Sequence, residues 1–224
     1  MAQTSLPSVA IVDFGLGNLF SVKQACQRVG IPAAVTSDPG QVAAADAVIL
    51  PGVGAFGDAM QTLRARSLDE AILEANQLGK PIFGICLGMQ LLMGDGHEFG
   101  RHKGLGIIEG DVVPFERGAS ANGRVKVPHI GWEPINRPVH QGRDGMWQNG
   151  PLAGLRDGEY MYFIHSFYVR PSDASTVAAV SRYGGTEFCS SLRQGQVVGF
   201  QFHPERSGPE GLRIYENLAR LIMK

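Results

Sequence analysis

Cysteine, net charge and long apolar runs are all scarce in this chain, and each scarcity narrows its possible roles. Three cysteines among 224 residues, Cys26, Cys86 and Cys189, are too few and odd in number for a disulfide framework. That pattern points to a reducing compartment. Charged residues make up 18% and nearly cancel, to a net −1, so there is no basic footprint for nucleic acid or an anionic membrane surface. No apolar run approaches the roughly 18 residues that a bilayer span requires. No Lys or Arg precedes Lys23, so a secretory leader with a positive start is not expected. The expectation is a soluble cytoplasmic protein.

Glycine is abundant, at 30 residues, as in a chain of tight turns and close backbone approaches. Residues 1–7 read as a loose polar leader and 8–224 as a single domain. Val9–Val12 reads as a short buried strand, and Ala33–Thr36, Ala47–Leu50 and Pro81–Ile85 as three further strands. Helical spacing separates them: a first helix from an Asn18 cap to Gly30, then Asp58–Arg64, Leu68–Leu78 and Leu87–Met93. Alternation of this kind predicts a parallel sheet with right-handed crossovers. The second half is β-rich over Tyr160–Val169, Thr176–Arg182, Glu187–Arg193 and Val197–Phe202, with Gly-Gly and Gln-Gly turns that suggest hairpins. Gly208–Met223 closes the chain as an amphipathic helix.

Gly84-Ile85-Cys86-Leu87-Gly88 falls at a strand–helix junction. It is the cysteine counterpart of the nucleophile elbow, in which small residues at i−2 and i+2 permit a sharp turn that lifts the central side chain out of the sheet. The helix start favours thiolate there, and the elbow aims the Leu87 N–H at a developing oxyanion. Gln90 lies one helical turn on, where its amide can read a polar substrate group.

Phe202-His203-Pro204-Glu205 runs off the last strand. Extended alternation would set His203 and Glu205 on one side, with the carboxylate accepting the Nδ1 proton and Nε2 left to serve sulfur. The remaining histidines carry less. His97, Glu98 and His102 lack zinc-helix spacing, so no metal site is expected. His140 lies in a polar loop, while His129 and His165 fit interface, site or core. Gly15-Leu16-Gly17 imitates a dinucleotide fingerprint, with Asp38 near the ribose-acid position, but Phe20 stands at the third glycine. A backbone turn capped by Asn18 explains it better.

Together, Ile85–Gln90 and Gln201–Glu205 resemble the class I, triad-type glutamine amidotransferases. Asp13–Leu19, Pro51–Gly57, Val127–Trp132 and Tyr162–Ser166 resemble more closely the glutaminase subunits of imidazole glycerol phosphate synthases. The resemblance covers nearly the whole chain. It implies a flavodoxin-like fold without cofactor: a mostly parallel sheet, helices on both faces and an antiparallel, hairpin-rich second half. It also implies hydrolysis of L-glutamine, with ammonia delivered to a (β/α)8-barrel synthase that binds as the other half of a heterodimer in histidine biosynthesis. Matched residue by residue, Cys86, His203 and Glu205 form the triad. The resemblance further implies that Val53, Gly54 and Leu87 supply the oxyanion hole, that Gly54, Gln90 and Ser166 hold glutamine, and that Asn18, Pro128, His129, Trp132 and Arg206 face the partner. Residues 98–104 and 207–212 are similar to a paralogous branch serving sugar amidotransferases of surface-polysaccharide synthesis. An inactive docking module and a cysteine peptidase are the other readings to be separated.

Overall fold

The computed structural model describes residues 7–116, 119–120, 123–139 and 144–223. Leader residues 1–6 and His140 fall outside them.

The first half follows the expected alternation: β1 (Val9–Val12), α1 (Leu19–Arg28), β2 (Ala33–Thr36), α2 (Pro39–Ala44), β3 (Ala47–Gly52), α3 (Phe56–Ala65), α4 (Leu68–Gln77), β4 (Ile82–Cys86) and α5 (Leu87–Leu91). The Asn18 side chain accepts from Ser21 N and caps α1, and Gly30 takes φ +77° just past its end. The short α2 was not anticipated. Asp38 is its cap, accepting from Gly40 N at 2.8 Å, with Pro39 in the first turn. The carboxylate therefore serves a helix start. Gly15 at φ +89° and Gly17 at φ +148° form a backbone turn.

The second half contains β5 (Met93–Gly96), β6 (His102–Lys103), β7 (Ile108–Pro114), β8 (Ala119–Ser120), β9 (Gly123–Arg124), β10 (His129–Ile135), α6 (Asp144–Gln148), β11 (Glu159–His165), β12 (Phe167–Pro171), β13 (Val177–Tyr183), β14 (Thr186–Gln194), β15 (Val197–Phe200) and α7 (Gly208–Ile222). Two expectations need correction here. The helix after Cys86 stops at Leu91, because Met93–Gly96 turns away to pair with β7. The run Tyr160–Val169 is two strands. It breaks at Ser166, with β11 pairing β10 and β12 pairing β7.

Seven strands form the main sheet in the order β13-β14-β15-β4-β3-β1-β2. β15, β4, β3, β1 and β2 are parallel, while β13–β14 and β14–β15 are the antiparallel hairpins. Alternate residues of the parallel strands serve two cores. Val9, Ile11, Ile49, Phe83 and Phe200 face α1 and α7. Ala10, Val12, Val48, Leu50 and Ile82 face α2, α3 and α4. Burial of each larger apolar side chain contributes about 1.5–3 kcal/mol, which is why four-residue strands suffice. A second sheet, β12-β7-β5-β6, and the β10–β11 ribbon stand beside the main one.

Register then positions the chemistry. Gly52 of β3 pairs with Cys86 of β4, and Ile85 pairs with Phe200 of β15. Three neighbouring parallel strands thus end at one edge. Crevices outside the carboxyl ends of strands are where open α/β sheets bind ligands.

Candidate active site

Cys86 holds φ +54° and ψ −109°, a conformation that costs a non-glycine residue of order 1–3 kcal/mol and persists only where the surroundings enforce it. Here the enforcement is steric. A Cβ on Gly88 would lie 1.6 Å from the Leu50 carbonyl oxygen, and one on Gly84 would lie 2.8 Å from the Gly88 oxygen. The elbow therefore needs both glycines. The α5 helix has only five residues, so its dipole is a smaller aid to thiolate than a full-length helix would give.

His203 follows β15, and its Nδ1 lies 2.7 Å from Glu205 Oε1 in a pair almost wholly withdrawn from solvent. The backbone route differs from the extended one anticipated. His203 is extended, at φ −104° and ψ 94°, but Pro204–Arg206 is a 3₁₀ turn, and the Glu205 side chain reaches back to the imidazole from it. Ser207 Oγ donates to the His203 carbonyl at 2.7 Å and accepts from Tyr162 N. His203 N donates to the Tyr162 carbonyl. These bonds clamp the turn to β11.

With Nδ1–H on the carboxylate, Nε2 is the basic nitrogen. It is buried with no partner of standard hydrogen-bond geometry, and the group it senses is the Cys86 sulfur. Burial alone would push the imidazolium's pKa down. The charge and hydrogen bonding of Cys86, and then of Glu205, outweigh it and raise the pKa well above the usual histidine value. The trio is electrostatically coupled as proton transfer between sulfur and imidazole requires.

A cavity of about 270 Å³ opens onto the sulfur, lined by Val53, Gly54, Leu87, Gln90, Ser166 and Glu98 among others. All the expected oxyanion and substrate residues are therefore brought together. Gly54 takes φ +108°, which the tight loop after β3 needs. Gln90 is buried and commits its Nε2 to the Phe167 carbonyl at 3.0 Å and to Gln201 Oε1 at 3.2 Å. Its own oxygen is thereby left for the cavity.

Two residues escaped the sequence reading. Glu98 accepts from Phe56 N at 2.7 Å, so it ties the start of α3 and the glycine loop to the cavity wall. Gln201 lies behind the sulfur. Its two-residue spacing from His203 was the available signal.

The partner-face expectations divide. Asn18, Pro128, Trp132 and Arg206 are exposed, and the Arg206 guanidinium sits 4.6 Å over the Tyr162 ring. His129 is corrected to the core. It is 1% exposed and stacks on Tyr183 at 4.0 Å, with its Nδ1 3.2 Å from His165 Nε2. Alternation along β10 explains this, since Ile130 and Trp132 occupy the outer face and the odd position before them turns inward.

The three thiols make one prediction immediate. Burial raises the pKa of Cys26 to about 12 and that of Cys189 further, against weaker opposition from a backbone hydrogen bond in each. Only Cys86 faces a cavity and a base. Iodoacetamide at neutral pH should alkylate Cys86 at least ~100-fold faster than either. Equal labelling of the three peptides by mass spectrometry would defeat this.

The geometry agrees with comparison to known proteins. The family model "Glutamine amidotransferase class-I" matches residues 10–221. The imidazole glycerol phosphate synthase subunit HisH of Rhodopirellula baltica is 46% identical over 94% of this chain and 96% of its own. That of Syntrophotalea carbinolica is 47% identical, over 93% and 98%. In the structure of PurLQS from Thermotoga maritima, a chain superposes with TM-score 0.72 at 19% identity, over 98% of this chain and all of that one, which concerns the fold alone. Elbow, coupled imidazole and sequence kinship converge: the chain belongs to the class-I glutamine amidotransferases, within the family of HisH subunits.

Proposed function

We propose that this chain hydrolyses L-glutamine through a Cys86 thioester and hands the ammonia to a (β/α)8-barrel synthase subunit making imidazole glycerol phosphate. The observation carrying the reading is the buried Cys86–His203–Glu205 array opening on a cavity of about 270 Å³. The Cys86 thiolate attacks the carboxamide carbon. The new oxyanion is held by the Leu87 N–H and the Val53–Gly54 loop, and the His203 imidazolium gives its proton to the departing nitrogen. Water then loses a proton to His203, attacks the thioester carbon and releases glutamate. The free oxygen of Gln90 and the Glu98 carboxylate suit the substrate's donor groups, including its ammonium.

Partner docking is supported by the outer face of the β10–β11 ribbon. Ile130, Trp132 and Tyr160 are each more than half exposed, and they share a face with Ile164, which lines the cavity beside the sulfur. A contiguous apolar face of this kind marks an interaction surface. The HisH kinship favours the histidine-pathway partner over a polysaccharide one.

Coupling follows from the loop. Gly52–Gly57 supplies part of the oxyanion hole, and glycine accepts more than one backbone arrangement at little cost. Partner binding that favours the catalytic arrangement raises turnover tenfold per about 1.4 kcal/mol of differential affinity. Steady-state glutaminase kinetics, alone and with the barrel subunit plus its acceptor ligand, should show at least a ~100-fold rise, mainly in kcat. A chain fully active alone and indifferent to the barrel refutes the coupling. Peptide cleavage in place of glutamine hydrolysis refutes the reaction.

A further inference from the structure

Behind the nucleophile lies a chain of side-chain amides whose directions are fixed one from the next. It starts at the Phe167 carbonyl, which only accepts. Gln90 Nε2 donates to that oxygen at 3.0 Å, so the NH₂ end of Gln90 points toward β12, and its second hydrogen meets Gln201 Oε1 at 3.2 Å. Gln201 must then present its own NH₂ in the other direction, where Cys86 Sγ accepts from it at 3.8 Å. The Phe167 carbonyl is braced in turn by His165 Nδ1 at 2.8 Å. Gln201 is fully buried, and water does not compete for its amide.

A glutamine buried in the sheet layer costs free energy unless its polar atoms are used, and an apolar residue of similar volume would fill the same space. Besides His203, the sulfur has two polar neighbours. The Ile164 carbonyl, 3.6 Å away, accepts the proton of a thiol. The Gln201 amide offers a proton to a thiolate. The first suits the neutral form and the second the charged form, and a hydrogen bond to a charged acceptor is about twice as strong as a neutral one.

We infer that Gln201 is a positioning residue for the glutaminase reaction: its amide, oriented by Gln90 and the Phe167 carbonyl, donates to the Cys86 sulfur and holds it as thiolate facing the cavity. The inference rests on Cys86 being the nucleophile. It gives the substrate-reading residue a side-chain route to the reacting atom through Gln201, so that displacement of Gln90 by bound substrate is felt at the sulfur. The other titratable groups around the sulfur are His203 beyond the end of β15, His165 on β11 and Glu98 across the cavity. Burial keeps His165 neutral, its pKa lowered to about 3, so the charged groups near Cys86, besides the Gln201 dipole, are the His203–Glu205 pair and Glu98 across the cavity.

The test compares wild type with Gln201→Met, which keeps the volume and removes the donor. The rate of Cys86 alkylation by iodoacetamide is followed from about pH 5 to about pH 9 by peptide mass spectrometry, alongside kcat and KM for glutamine. The expected result is a roughly tenfold slower alkylation at neutral pH, with the rate curve displaced about one unit upward. kcat should fall with KM little changed, since the Phe167 carbonyl still holds Gln90. A purely structural glutamine would leave the pH curve where it is, and an undisplaced curve in a folded variant overturns the inference. Should the variant not fold, the unaltered protein decides. With ¹⁵N-labelled glutamine, the Gln201 side-chain amide resonance should move as Cys86 is protonated, and a resonance insensitive to that titration overturns the inference equally. Cys86→Ser separates the two levels of the argument, because retained turnover in that variant refutes the nucleophile itself.

Discussion

His203→Ala should lower glutaminase turnover by about 10⁴ or more, with the fold intact, and Glu205→Gln should cost less, about 10²–10⁴. The difference follows from what each group does. His203 Nε2 has no partner of standard geometry and faces sulfur, so its loss removes the base and the acid of both half-reactions. Glu205 holds the ring through one 2.7 Å contact to Nδ1. A glutamine there keeps the tautomer if its oxygen stays on that side, but it brings an amide to the buried position where Oε2 now makes no hydrogen bond. Single-turnover and steady-state kinetics with melting curves check both variants, and near-wild-type kcat in His203→Ala sinks the base assignment. A pH effect accompanies it. The folded-state pKa of His203, near 10, lies above the unfolded value of about 6.5. The imidazolium therefore stabilises the fold fully below about pH 6.5, and this contribution disappears as pH rises through the folded value. Wild type should lose more stability than His203→Ala between those limits.

The elbow and the parallel half were legible because their signals are local. Gly84, Cys86 and Gly88 sit at fixed offsets, and the clashes a Cβ would meet at the two glycines are the steric reason for the pattern. What escaped notice depends on tertiary partners. Met93-Gly94-Asp95-Gly96 has poor intrinsic strand preference, and only pairing with β6 and β7 makes it a strand. The break at Ser166 is invisible in a continuous β-rich run, since the sequence does not say that its two halves enter different sheets. The turn at Pro204 leaves no local signal, since His203 and Glu205 flanking a proline fit an extended strand equally well. His129 was misplaced for a different reason. A family match identifies a segment, whereas strand parity decides which of its side chains reach the surface, and in the β10–β11 ribbon that parity sends His129 and His165 inward. Glu98 and Gln201 act through distance, one across the cavity and one behind it, and neither sits at a motif's reactive position.

Gly88→Ala should do more damage than any other methyl addition near the site. A Cβ there would lie 1.6 Å from the Leu50 carbonyl oxygen and 2.6 Å from its carbon, far inside contact distance. The obstacle is the backbone of β3, the central neighbour of β4, so no side-chain rotation relieves it. Ordinary overpacking costs about 1–3 kcal/mol. Forcing α5 off β3 also disturbs Leu50, Leu87 and Met89 in one core, and a loss of roughly 4 kcal/mol or more is expected. At about 2–4 °C per kcal/mol for a chain of this size, the melting midpoint should fall by roughly 10 °C or more. Activity should fall further than stability, because the strained Cys86 conformation at φ +54° exists only while α5 turns sharply against β3. Gly131→Ala is the control. Nothing lies within 4 Å of a Cβ there, and the change should stay within about 0.5 kcal/mol. Thermal melts and Cys86 alkylation rates on the two variants separate a local steric demand from a general aversion to losing glycine. A Gly88→Ala protein with the wild-type midpoint and alkylation rate would show that the elbow's geometry is not what places the sulfur.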